Sequence, residues 1–378
     1  MPGFDRRELL KGAALLGLAG CTPAQARTRN WAGYEDAVII DALGGIGNPN
    51  VRNADSLLQQ FDRRAREDLR LSGVTAMNVT LPWVAGPGDP YAMSMEGIEA
   101  YDAVIARHPD RLLKVSSVAD IAAAKASGRV GVIYGFQNAE QLEGRTERVG
   151  HFFERGLRVI QLTYNIANTL GHGSLVPENG GLTAFGRDAV EAMNAQGILV
   201  DLSHSGEQTC LDAIAVSSSP LAITHTGCRA LANLPRNKTD AELRGVAEGG
   251  GVVGIYYMPF LNQVGQPWAE AVVRHVEHAL NVCGEDHVGI GTDNPVSAID
   301  DLAAYQAVLR EELAQRRRLG ISAPGETDDI VPFIPDLRGP DKFRELAYRL
   351  ASRGHSDRVI GKILGGNFLR VMGEVWPD

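Results

Sequence analysis

Eight apolar, β-branched runs recur along this chain, separated by segments whose apolar residues return every three or four positions. The runs are Ala37 to Asp41, Val74 to Leu81, Val130 to Phe136, Leu157 to Thr163, Ile198 to Ser203, Leu221 to Thr224, Gly251 to Tyr257 and His287 to Gly291. Continuous apolar runs suit strands covered on both faces, and helical periodicity between them suits crossover helices, so the pattern predicts a parallel sheet with helices outside it. Helices are expected over Leu57 to Leu71, Thr183 to Gln196, Asp240 to Glu248 and Trp268 to Val282, several with glycine in the stop position, and Thr239 is a natural cap for the third. Residues 300 to 378 read as additional helices, with Arg316-Arg-Arg318 as a solvated basic face. Eight strands is the count of a (β/α)8 TIM barrel. The structural rival, a doubly wound sheet, wants G-x-G-x-x-G after its first strand, and Asp41-Ala-Leu-Gly-Gly-Ile-Gly47 does not make it.

Bulk numbers narrow the partners. With 378 residues, 44% of them hydrophobic, the chain can bury a large core. A formal charge of −9 and no basic stripe interleaved with aromatics argue against nucleic acid and for a small polar substrate. Oligomeric state is left open.

Residues 1–26 are expected to stand outside the fold, leaving 27–378 as a single domain. Arg6-Arg7 precedes a short apolar run, Ala13 to Ala19, too brief to span a bilayer, which reads as a twin-arginine export signal. Leu18-Ala-Gly-Cys21 resembles a lipobox that would anchor a lipidated Cys21 to the membrane, while Ala24-Gln-Ala26 fits ordinary cleavage. Either route places the protein in the periplasm or at the cell envelope. Cys210, Cys228 and Cys283 remain afterwards; buried thiols are the default reading, with a Cys210 to Cys228 disulfide conceivable.

The candidate chemistry lies where the strands end, because parallel barrels gather those residues at one mouth. Strand ends read Gly135-Phe-Gln-Asn138, Thr163-Tyr-Asn165, Ser203-His204, Thr224-His225 and Gly291-Thr-Asp293. Two imidazoles on neighbouring strands suit a catalytic zinc. Glu140, three residues past Gln137, and His172, in a glycine-rich loop, are substitute ligands of lower standing; His275 and His278 do not form H-E-x-x-H and read as packing or surface residues.

From Gly181 to Leu261 the chain is similar to the membrane (renal) dipeptidase family of zinc peptidases. The likeness is carried by Gly181-Leu-Thr-Ala-Phe-Gly186, Asp201-Leu-Ser-His204, Thr224-His225, Pro235-Arg-Asn237 and Gly250-Gly-Val-Val253, and extends through Val288-Gly-Ile-Gly-Thr-Asp293 and Leu364-Gly-Gly-Asn-Phe368. The resemblance implies a (β/α)8 metallohydrolase with a two-zinc centre that cleaves dipeptides. Carried over residue by residue, it makes His204 and His225 ligands of one zinc, Arg236 the receiver of the substrate carboxylate, and Asp293 a carboxylate at the other metal and candidate base. Tyr164 takes the place of a histidine that stabilises the reacting carbonyl, with Asn165 beside it as a substrate contact.

Three family ligands are replaced. The D-x-H-x-D stretch of the first strand reads Asp41-Ala-Leu43-Gly-Gly45, and the bridging carboxylate is Gln137, a weak ligand at best. Two dications about 3.5 Å apart repel by roughly 19 kcal/mol at an effective dielectric of about 20, and here only Asp293 is left of the carboxylates that offset this. The expectation is therefore at most one zinc ion, at His204 and His225 with Gln137 or Asp293. Alternatives are a binding or accessory protein that has lost hydrolysis, or a non-hydrolytic enzyme using the same mouth.

Overall fold

The computed structural model describes residues 30–51 and 56–377; the expected export signal, with Cys21, lies outside them. Ten strands form one sheet: β1 (Ile40–Gly45), β2 (Ala76–Thr80), β3 (Leu112–Lys114), β4 (Val130–Phe136), β5 (Leu157–Gln161), β6 (Leu199–Asp201), β7 (Ala222–Thr226), β8 (Val252–Ile255), β9 (Val288–Ile290) and β10 (Asn294–Pro295). The order is β10-β1-β2-β4-β5-β6-β7-β8-β9, with every pairing parallel and β3 attached to the side of β4. Because β10 follows β9 after three residues and pairs with β1, the eighth stave meets the first and the sheet closes as a (β/α)8 barrel. Asp293 N–H donating to Leu43 O at 2.7 Å and Val296 N–H to Gly45 O at 3.0 Å seal the seam.

All eight expected strands form. The first runs Ile40–Gly45 instead of starting at Ala37, because its register with β2 and β10 is made by residues 40 to 45, through an irregularity between Asp41 and Gly44. The helix expected over 57–71 is two, Leu57–Gln60 and Arg63–Ser72; Asp62 stops the first and caps the second, its carboxylate accepting from Ala65 N–H. Thr183 and Thr239 cap Ala184–Gln196 and Asp240–Glu248 as their spacing predicts. Beyond strand eight the chain is helical at Leu302–Arg318, Lys342–Ser352, Asp357–Gly361 and Asn367–Val375, but 319–341 is irregular.

The two ends of the barrel differ. At the strand starts, Ile40, Ala76, Leu199, Ala222 and Val252 join Phe368, Val371 and Met372 of the last helix in one buried cluster, so the C-terminal helix closes that end. Gly289 is required there: a Cβ would lie 2.5 Å from the Phe368 ring. The opposite end, where the strands finish, is left for polar side chains. No described helix is long and apolar enough to cross a membrane.

Candidate active site

A cavity of about 910 Å³ opens at the strand ends. Gln137, Tyr164, His204, Arg236 and Asp293, from five segments far apart in sequence, all line it. His225 lies directly behind, its ring centroid 4.9 Å from that of His204, and the Tyr164 ring stacks on His204 at 4.2 Å.

Each imidazole is held by one nitrogen. His204 Nδ1 meets Asn165 Oδ1 at 2.6 Å, and because the Asn165 amide donates its own N–H to Ile321 O at 2.7 Å, Oδ1 is the acceptor and His204 carries its proton on Nδ1. His225 Nδ1 meets Thr224 Oγ1 at 2.9 Å; that hydroxyl donates to Asp201 Oδ2 at 2.6 Å, so it accepts from His225, which is also protonated on Nδ1. Asp201 is buried and further tied to Ser203 and to Thr224 N–H. Both Nε2 atoms are therefore lone-pair acceptors, both are buried, and neither has a hydrogen-bond partner. Burial, reinforced by Arg236, holds both imidazoles well below their ordinary pKa and keeps them neutral. Neutral imidazoles fixed through Nδ1, with a bare Nε2, are the ligand form of histidine. The pair offers two ligand atoms to a metal ion.

The first strand adds no ligand to them. Leu43 and Gly45 carry no donor atoms, and no cluster of three or more His, Cys, Asp or Glu able to hold an ion occurs among the described residues. Gln137 commits its amide nitrogen to Thr80 Oγ1 at 2.7 Å, which leaves Oε1 as the atom it offers the cavity. Asp293 stands in the left-handed region at φ 56°, a conformation Asp tolerates better than most residues. Burial raises its carboxyl to about 7, against the pull of Arg236 and Arg316.

Arg236 is buried, with Nη1 donating to Ser203 O at 2.7 Å. Behind it, Lys238 pairs with Glu242 at 3.2 Å and contacts the Cys210 thiol at 2.9 Å, a buried cluster that anchors the loop after β7. Cys210, Cys228 and Cys283 are all free and buried, so the conceivable Cys210 to Cys228 disulfide does not form.

Asn165 sits otherwise than the sequence suggests, and Glu140, His172, His275 and His278 all lie away from the cavity. Asn165, expected to touch substrate, is buried with both ends of its amide committed, which makes it the orienting partner of His204. Glu140 accepts from Thr169 N–H at 3.2 Å and His172 from Gly180 N–H at 2.7 Å; neither lines the cavity. His275 is a packing residue between Cys228 N–H and Leu261 O, held down to about pKa 4 by burial, and His278 pairs with Asp240 at 2.8 Å.

The largest departure is Arg316. Arg317 and Arg318 are exposed, as a solvated face requires, but Arg316 turns into the cavity and donates to Tyr164 Oη at 3.2 Å. Its signal was present in the sequence: Tyr305, Leu309 and Leu313 repeat at four-residue intervals, Arg316 continues their face, and all four line the cavity.

Residues 73–323 match the membrane dipeptidase family, peptidase family M19. An uncharacterized protein in the pqqA 5′ region of Klebsiella pneumoniae is 30% identical over 303 residues, covering 77% of this chain and 99% of that protein. Dipeptidase verJ of Clonostachys rogersoniana is 29% identical over 284 residues, covering 75% of this chain and 65% of that protein. Among solved structures, an amidohydrolase from Pseudomonas aeruginosa superposes with a TM-score of 0.78 at 31% identity, covering 91% of this chain and 98% of that one. A metallopeptidase from Rhodobacter sphaeroides, liganded with a phosphinate mimic of the dipeptide L-Ala-D-Ala, shares the fold at 20% identity, with a TM-score of 0.72 and coverage of 90% and 99%. With the match spanning most of the barrel and a relative aligned along almost its whole length, the chain belongs to the membrane dipeptidase family.

Proposed function

We propose that this dipeptidase-like hydrolase cleaves dipeptides or related small amides with at most one metal ion, held by Nε2 of His204 and His225 and completed by Gln137 or Asp293. The observation that carries this reading is the pair of buried, unpartnered Nε2 atoms. Leaving a buried acceptor unpaired costs about 1–3 kcal/mol, so two of them side by side, each aimed by a partner on the far ring nitrogen, mark a place reserved for a ligand. A bound divalent cation, zinc by family, supplies Lewis acidity and makes water a nucleophile near neutral pH.

The chain's own residues divide the remaining work. The Arg236 guanidinium receives the substrate carboxylate, Asp293 takes the proton of the attacking water, and the Tyr164 hydroxyl hydrogen-bonds the carbonyl oxygen as charge builds on it. Part of the remaining wall is apolar, lined by Tyr305, Leu309, Leu313, Phe333 and Phe260. At about 30 Å³ per water the cavity spans roughly thirty waters, room for a substrate with a bulky apolar side chain. Metal analysis together with turnover of a dipeptide panel tests the reading: an ion that loads wild type but not His204→Ala, with hydrolysis following the ion, supports it. Absence of both ion and turnover overturns it.

A second reading is a dipeptide-binding or accessory protein, supported by Leu43, Gly45 and Gln137 standing where the family resemblance implies metal ligands, beside a cavity-lining Arg236. Calorimetric binding without turnover in the metal-loaded protein would select it. We further propose export by the twin-arginine route, tested by replacing Arg6 and Arg7 with lysine and finding the protein retained in the cytoplasm.

A further inference from the structure

Arg316 is gripped from behind. Its Nε and Nη2 donate to the two carboxylate oxygens of Glu326 at 3.0 and 2.7 Å, a two-pronged pair, and Glu326 is itself fixed by Ser322 Oγ at 2.8 Å and Ala323 N–H at 3.2 Å. The Glu326 side chain is only 7% exposed. This leaves Nη1, which donates to Tyr164 Oη.

A guanidinium has no acceptor, so the direction of that last bond is settled: Tyr164 oxygen accepts, and the phenol's own hydrogen is free to point elsewhere. The ring is fixed by stacking on His204, and the residue lines the cavity, so the hydrogen is directed there. Accepting from a cation also polarises the phenol and strengthens it as a donor.

The same short segment steadies the neighbouring residue. Ile321 O accepts from Asn165 at 2.7 Å and from Arg316 Nη2 at 3.3 Å. Asn165 orients His204, while Arg316 orients Tyr164. One carbonyl beyond the last strand therefore sets both side chains at the end of β5 and β6.

We propose that Arg316, locked by Glu326, is a positioning residue that makes Tyr164 a one-way hydrogen-bond donor to the scissile carbonyl. The inference rests on the hydrolase reading above. It assigns a functional part to the segment after the barrel, which contributes a donor-aiming device as well as cover.

The test is a double-mutant cycle in the metal-loaded full chain with Arg316→Met, Tyr164→Phe and the pair, reading kcat and KM on a dipeptide and affinity for a phosphinate dipeptide mimic by calorimetry. Each single variant is expected to lose about a hundredfold in kcat, the scale of one lost donor to a developing oxyanion, with KM changed less than about threefold. The double variant should be no worse than either single one, because both remove the same hydrogen bond. Phosphinate affinity should fall in parallel, and Arg316→Lys, which keeps one donor, should recover part of the loss. Where Arg316→Met fails to fold, Glu326→Gln loosens the same grip and is expected to give a smaller kcat loss that also disappears in the Tyr164→Phe background. Losses that multiply in the double variant, or a KM increase at unchanged kcat, overturn the inference while leaving the hydrolase reading intact. A wild type that neither hydrolyses dipeptides nor binds the phosphinate overturns both.

Discussion

The barrel mouth has two sides of unlike character. On the β6–β7 side, Asp201, Thr224 and Asn165 spend their hydrogen bonds on aiming His204 and His225, and the outward nitrogens of both rings stay bare. On the β1 side the charged groups spend their bonds on the strand seam itself. Asp41 accepts from Thr292 N–H and Oγ1 at 2.7 Å each; Lys342 Nζ donates to Thr292 Oγ1 at 3.0 Å and to the carbonyls of Asn294 and Pro295 at 3.1 Å, with Asp41 Oδ2 at 3.9 Å. Burial pushes the Asp41 carboxyl up to about 6 and the Lys342 ammonium down to about 8, each partly offset by the other. Both sides bury polar groups on or beside parallel strands. The Asp41–Lys342 network closes its own bonds and clasps the seam between β1 and β10, whereas the histidine pair keeps lone pairs in reserve. The first behaves as structure, and the second is built to bind.

That contrast can be broken by substitutions that should separate stability from chemistry. The largest effect is expected from His204→Ala or His225→Ala: loss of the metal by elemental analysis and of measurable dipeptide hydrolysis, with the thermal midpoint nearly unchanged. A large drop in midpoint with metal retained would reverse the assignment of the two sides. Lys342→Met should do the opposite, lowering unfolding free energy in urea by about 3–5 kcal/mol because it strands a buried Asp41 carboxylate, while metal content per folded molecule holds. A loss of metal there would show that the β1 side also serves the ion.

Smaller changes sharpen the picture. Asn165→Ala or Thr224→Val removes the far-side hydrogen bond of an imidazole together with the bond its partner donates to Ile321 O or to Asp201, and metal affinity by competition titration should fall about 10- to 100-fold. Unchanged affinity would mean that ring packing alone orients the ligands. Smallest is a gain: Leu43→His, Gly45→Asp and Gln137→Glu together should raise the metal-to-protein ratio. A Cβ at Gly45 meets nothing nearer than Pro295 Cα at 3.6 Å, an ordinary van der Waals contact. A ratio unmoved by the triple change would show that the Asp41–Lys342 network, rather than the missing ligands, excludes the second ion.

How much of this was legible in the chain depends on whether a feature is periodic or convergent. Strands and helices announced themselves by period and by caps such as Thr239, and the short β3 was missed because three residues carry no period. His204, His225, Tyr164, Gln137 and Asp293 were found because each lies within three residues of a strand's end, and barrel topology sends such residues to one place. Arg316 was misread because a run of three arginines looks solvated; only the stripe from Tyr305 to Leu313 shows that one of the three faces inward. Glu326 and Ile321 sit in an irregular stretch without periodicity, and nothing local marks them.

The sequence by itself determined the barrel, the family and the identity of the polar groups at its mouth, because hydrophobic period and strand-end position are properties of the chain alone. Only the tertiary structure decided what those groups do. Which nitrogen of His204 carries the proton depends on an amide 39 residues away that is itself oriented by Ile321, and the direction of the Tyr164 hydroxyl depends on a guanidinium 152 residues downstream. Hydrogen-bond direction is a relation between partners brought together by folding, and no single stretch of sequence contains both.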